Sequence, residues 1–153
     1  MIMLAAPFTA ISGQEVRVFR GSSNYYSDAF CNVRDGKVYK GTSNYYSDII
    51  CNIRDGKIYK GSSNYYSDIL FTVKDGKVYR GSSSYYSDIL FTVRDGKLYK
   101  GSSTYYNDVI ANIRDGKVYK ASSNYYSDIL FNFKGNLTLP EFIAVWYTYQ
   151  YVY

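Results

Sequence analysis

The side chains able to do covalent or acid–base chemistry in this 153-residue chain are few, and repetition spaces them. There is no histidine, the two cysteines Cys31 and Cys51 lie 20 residues apart, and 11 of the 13 acidic residues are aspartates at just two positions of a 20-residue period, those of Asp28 and Asp35. A nucleophile with its base, two carboxylates in unlike surroundings or a glycine-rich phosphate loop all require residues that differ from one another, and no such pattern is present. Asp28 and its equivalents supply one carboxylate per period without the spacing of a calcium loop. They read as caps on strands or connectors. The cysteines share their slot with Phe71, Phe91 and Ala111, which marks them as small buried apolar groups and not a redox or metal pair. The chain is expected to be no enzyme and to carry no metal or cofactor.

Two sets of surface candidates remain. Of 21 tyrosines, twelve form adjacent pairs in the connector Gly-Ser-Ser-Asn-Tyr-Tyr-Ser-Asp and its variants: Tyr25 and Tyr26, Tyr45 and Tyr46, Tyr65 and Tyr66, Tyr85 and Tyr86, Tyr105 and Tyr106, Tyr125 and Tyr126. One ring of each pair is expected to wedge between neighbouring hairpins. A ring left outside would bind glycan or protein, with repetition lending avidity to weak single sites. The second set is basic: Arg34 with Lys37, Arg54 with Lys57, Lys74 with Lys77, Arg94 with Lys97 and Arg114 with Lys117 flank one Asp-Gly each. These pairs point to attachment to an anionic lipid surface. A net charge of +5, accumulated at about one per repeat, is far from the density of a dedicated nucleic-acid binder. A purely structural or self-assembling role is the third reading.

The period dictates the elements. A short fixed repeat means that each unit is one supersecondary piece that stacks on its neighbours to bury a core. Each unit reads as a strand (Lys77 to Arg80), the connector, and a second strand (Ile89 to Val93). Asp-Gly between β-branched runs is a type I′ hairpin signal, because both central residues must take positive φ; it occurs at Asp35, Asp55, Asp75, Asp95 and Asp115. A two-residue turn at Asp75-Gly76 sets Lys74 opposite Lys77, Val73 opposite Val78, Thr72 opposite Tyr79 and Phe71 opposite Arg80. Ile69, Phe71, Val73 and Val78 then share the core face, and Leu70, Thr72, Lys74, Lys77 and Tyr79 the other.

After Phe133 the pattern changes. Thr138 as N-cap, Glu141 three residues later and Leu137 with Phe142 as a staple announce a helix, and Pro140 fits its first turn. Phe142 to Tyr153 is apolar or aromatic almost all round, so such a helix must be enclosed, with Trp146 buried; the alternation Tyr147 to Tyr151 offers a strand instead. Leu4 to Ala10 reads as a degenerate strand that Pro7 confines to an edge. The chain divides into residues 1–15, six repeats over 16–133 and the terminal segment 134–153, within one domain. The N-terminus is a poor signal peptide and no run is long enough for a membrane helix, so a cytoplasmic location is the default.

Val16 to Arg20 is the second half of a hairpin and Ile129 to Phe133 the first half of one, so they complete each other. The result is an all-β repeat protein, a closed up-and-down barrel of about twelve strands, which leaves no exposed edge. Twelve strands enclose a cylinder of roughly 12 Å radius, and inward side chains leave room for one helix of about 10 to 12 Å diameter. Tandem hairpins joined by polar connectors around an apolar centre resemble the symmetric barrels called β-flowers, and more distantly the tubby-like barrel with its central helix. Tubby-like proteins bind phosphoinositides, but none of their lipid-binding residues has a match here. The rival architecture is a β-solenoid with 20-residue coils, which would bring Cys31 and Cys51 within disulfide range.

Overall fold

The computed structural model describes residues 14–152; the N-terminal segment Leu4 to Ala10 lies outside them. Twelve strands follow in order: β1 (Glu15–Arg20), β2 (Ala29–Arg34), β3 (Lys37–Lys40), β4 (Ile49–Arg54), β5 (Lys57–Lys60), β6 (Ile69–Lys74), β7 (Lys77–Arg80), β8 (Ile89–Arg94), β9 (Lys97–Lys100), β10 (Val109–Arg114), β11 (Lys117–Lys120) and β12 (Ile129–Phe133). Each pairs antiparallel with its neighbours in sequence, and β1 meets β12 through Val18 opposite Phe133 and Arg20 opposite Phe131. The barrel is closed. The solenoid is thereby ruled out, and Cys31 and Cys51 are free thiols.

Turns and register follow from the residues. The aspartates of the five Asp-Gly turns sit at φ 50° to 51° and their glycines at 74° to 76°, the left-handed pair that a type I′ turn demands. Phe71, Thr72, Val73 and Lys74 oppose Arg80, Tyr79, Val78 and Lys77 as expected. One part of the face assignment is corrected. Where β6 pairs with β5 the register jumps from Phe71 opposite Ile58 to Ile69 opposite Tyr59, so a β-bulge inserts Leu70. Leu70 then turns inward beside Phe71 and packs on the core, while Ile69 is buried apart from that cluster. The same slip recurs at β2, β4, β8, β10 and β12.

Two of the inward layers show how the barrel is filled. Val18, Val38, Ile58, Val78, Leu98 and Val118 are all fully buried and form a regular ring. The layer at Cys31, Cys51, Phe71, Phe91, Ala111 and Phe131 is irregular in size. A lone helix has no six-fold axis, and this second layer accommodates it. The helix α1 (Leu139–Tyr147) runs nearest β3, β4 and β5, beside the small Cys51, whereas Phe131 fills space against Phe142, Trp146 and Tyr149 at centroid distances of 6.4, 6.3 and 5.0 Å.

The helix starts as its sequence dictates. Glu141 donates its backbone N–H to the Thr138 hydroxyl at 3.2 Å, and Thr138 N–H donates to the Glu141 carboxylate at 2.9 Å, a capping box with Pro140 in the first turn. Its end departs from expectation. α1 stops at Tyr147 and continues as one π-helical turn over Thr148–Val152, which leaves the barrel after Tyr149: Thr148 is buried and Trp146 is 3% exposed, while Tyr151 is 71% exposed. The enclosed stretch is thus only part of the expected plug, and the strand alternative over Tyr147 to Tyr151 does not form because the barrel offers no open edge to extend.

Candidate binding grooves on the outer wall

Each connector folds back over the outer wall and is locked there by its own polar side chains. The Ser23 hydroxyl donates to the Asp28 carboxylate at 2.6 Å and accepts the Tyr25 N–H at 3.1 Å, and Asp28 N–H donates to the Tyr25 carbonyl at 2.9 Å, closing a short 3-10 turn over Tyr26–Asp28. The Ser–Asp bond recurs in the other five connectors at 2.6 to 2.7 Å. A hydroxyl that bridges a carboxylate and a backbone donor is a cap. The repeated aspartates therefore have the connector-capping role their spacing suggested.

A second fastening escaped the sequence reading. Asn32, fully buried on the outer side of β2, donates its amide to the Gly41 and Ser43 carbonyls, both at 2.9 Å, so that one repeat clamps the connector of the next. Asn52 and Asn112 do the same, and Asn132 reaches across the seam to Gly21 and Ser23 at 2.7 and 2.9 Å. Thr72 and Thr92 hold only Gly81 and Gly101, since a hydroxyl has one proton to give. The signal available in the sequence was an Asn or Thr at every outward position midway along the second strand.

This frame presents the tyrosines. All twelve of the paired rings are 62% to 76% exposed, so neither member of any pair is the wedge expected between hairpins. Tip cations stand as cross-strand neighbours in all five hairpins: Arg34 with Lys37, Arg54 with Lys57, Lys74 with Lys77, Arg94 with Lys97, Arg114 with Lys117. Several are already occupied by rings of the wall, with the guanidinium carbons of Arg34, Arg54 and Arg114 at 5.7, 5.3 and 5.2 Å from the centroids of Tyr39, Tyr59 and Tyr119.

Because the connectors fold back, the two candidate sets share common ground. Arg17 lies 5.2 Å over the Tyr26 ring. At the equivalent place four periods on, a groove of about 260 Å³ is lined by Tyr106 together with Lys97, Arg114, Asp95, Ser122 and Asn124. A wider cleft of about 620 Å³ lies between successive connectors, lined by Tyr86 from one and Tyr105 and Asp108 from the next, together with Lys100. Both are open, shallow and mixed in polarity. Inside the barrel, by contrast, burial pushes the Cys31 thiol well above its usual range and the Cys51 thiol up to about 12 despite a hydrogen bond with Thr148; these are inert packing groups. No helix among the described residues is long and apolar enough to cross a membrane.

The model of a family described as 6-fold beta flower protein matches residues 18–146. No curated protein matches the sequence. Among solved structures, an Arabidopsis thaliana protein is similar at 16% identity over 88% of each chain, with a TM-score of 0.46.

Proposed function

The chain belongs to the 6-fold beta flower family, and we propose that it acts as a non-catalytic binding module whose ring of Tyr-Tyr connectors engages a repetitive ligand, a glycan or a protein. The observation behind this reading is the exposure of all twelve paired tyrosines, at 62% or more, on connectors fastened at both ends. Apolar ring surface held out in water gains nothing for folding, while rings carried on a backbone already fastened lose less entropy on binding. Six weak contacts along one ligand then multiply by effective concentration. A glycan array and a protein pull-down with Tyr26, Tyr46, Tyr66, Tyr86, Tyr106 and Tyr126 changed to Ala test it. Binding by the parent and loss in a variant with unchanged circular dichroism is the expected result; equal binding by the two removes the tyrosines from the account.

The cross-strand pairing of two cations at each tip favours a second reading, adhesion to an anionic membrane surface through Arg34, Lys37 and their equivalents. Screening weakens a charge-driven contact. Sedimentation with phosphatidylserine vesicles across a salt series tests it, and binding indifferent to salt sinks it.

A further inference from the structure

We propose that the ligand of the tyrosine ring is an anionic polysaccharide, with each groove taking a sugar face on its tyrosine and an acidic substituent between two cations. The inference rests on the reading of the ring as a binding surface and goes on to name the ligand's chemistry. In the groove beside Tyr106, Lys97 on β9 and Arg114 on β10 are diagonal neighbours, since Lys97 pairs with Asn112 two residues before Arg114. Asp95, Ser122 and Asn124 line the same groove. Two cations against one carboxylate leave a local excess of positive charge, and the remaining groups are those that hydrogen-bond hydroxyls.

Arg17 and Arg34 hold the equivalent places beside Tyr26, where both contact Glu15 at 3.1 and 3.9 Å, and Lys134 is the sequence equivalent of Arg114 one period on. Every hairpin therefore repeats the combination of one ring and two cations around the circumference. A pyranose offers an apolar C–H face to the ring, while its carboxylate or sulfate accepts from the ammonium and the guanidinium. Successive grooves are two strands apart, roughly 10 to 13 Å along the wall, a spacing that a chain of sugar rings can follow.

The disposition of the grooves selects against two other polyanions. A flat bilayer that meets the turn end of the barrel can reach the cations but makes no use of the tyrosine rings, which a sugar chain requires. A single-stranded nucleic acid needs a continuous basic track, whereas here an aspartate stands between the tip cations of each of the five Asp-Gly turns.

Affinity electrophoresis or calorimetry on the full chain tests the assignment, with polygalacturonate, neutral dextran, phosphatidylserine vesicles and polyuridylate as probes at rising salt. Polygalacturonate is expected to bind best, to weaken as salt rises, and to lose about ten-fold or more in affinity when Lys57, Lys74, Lys77, Arg94, Lys97 and Arg114 become Gln, and again when Tyr66, Tyr86 and Tyr106 become Ala. Dextran bound as tightly, without salt dependence but with loss in the tyrosine variant, overturns the anionic assignment and leaves the ring as a binding surface. Vesicles or polyuridylate bound more tightly than polygalacturonate overturn it in favour of those ligands. Binding of no probe overturns the anionic assignment, and binding untouched by the tyrosine variant overturns both readings. Should the Gln variant fail to fold, the probe panel and salt series on the parent chain still decide.

Discussion

The outer ring of connectors and the inside of the barrel are made by the same six repeats, yet the ring keeps the period and one layer of the interior abandons it. Outside, every connector has its serine, its tyrosine pair and its aspartate in the same bonds. Inside, one layer runs Cys, Cys, Phe, Phe, Ala, Phe around a single helix. The interior must match a partner without symmetry, at close-packed density, and each slot has adjusted to what it faces. The ring faces solvent, where packing demands no particular residue. Its regularity therefore answers to the bonds of the frame for Ser, Asp and Asn, and for the tyrosines it is what the proposed binding role would explain.

The contrast breaks most completely by removing the helix. Truncation after Phe133 empties the centre of the barrel, a loss far beyond the several kcal/mol of a single large-to-small change, and an insoluble or molten product is expected, detected by dye binding and lost near-ultraviolet dichroism. In the intact chain Trp146, 3% exposed, is expected to emit in the blue and to resist acrylamide. A cooperative unfolding transition in the truncated chain contradicts the plug.

A gentler cut compares one ring from each region. Phe131→Ala, at the contact with Phe142 and Tyr149, is expected to cost about 3 to 5 kcal/mol in urea unfolding, and Tyr126→Ala, exposed at 73%, less than about 0.5 kcal/mol. Equal losses would mean that the tyrosines belong to the fold.

Alkali probes the interior thiols. Burial holds Cys51 at about 12 against an ordinary 9.0, so above pH 9 the unfolded chain gives up a proton that the folded chain retains. Stability is whole below 9 and falls as pH rises toward 12, by about 2 kcal/mol at pH 10.5 from this one group. Cys51→Ala, which borrows the residue found at Ala111, should flatten the profile relative to the parent; parallel profiles would place the loss elsewhere.

Within the ring the repeats differ in how tightly they are clamped. Asn52→Thr gives up the bond to the Ser63 carbonyl and is expected to cost about 1 kcal/mol, with faster amide exchange confined to the connector that Asn52 holds. Smallest is Ala121→Gly. Ala121 sits at φ 51° where the other connectors have glycine, so relief of left-handed strain, offset by chain entropy, should raise stability by at most about 1 kcal/mol.

Local chemistry was legible in the sequence wherever neighbouring residues settle it. Asp-Gly pins the turn, the turn pins Val73 against Val78, and Thr138 with Glu141 starts the helix. The closure of β1 on β12 also followed, because unpaired half-hairpins at both ends leave one economical solution. What stayed hidden depends on two strands at once. The bulge that exchanges Ile69 and Leu70 exists only in the pairing with β5, and alternation within β6 carries no trace of it. The amide of Asn32 and the carbonyls it holds are 9 and 11 residues apart. The approach of Tyr106 to Lys97 and Arg114 requires the connector to double back, and its composition alone did not give that direction.

The helix also acts as a gauge. Near-identical tandem units are readily lost or gained by unequal recombination, and a barrel seam clamped as the Asn32, Asn52 and Asn112 junctions are would close as willingly around five units or seven. Five would shrink the backbone radius to roughly 10 Å and seven would widen it to roughly 14 Å. Neither bore fits a helix of about 10 to 12 Å once side chains line it: the first excludes it and the second leaves it loose. A gene that miscounted would encode a chain whose own last residues reject the error.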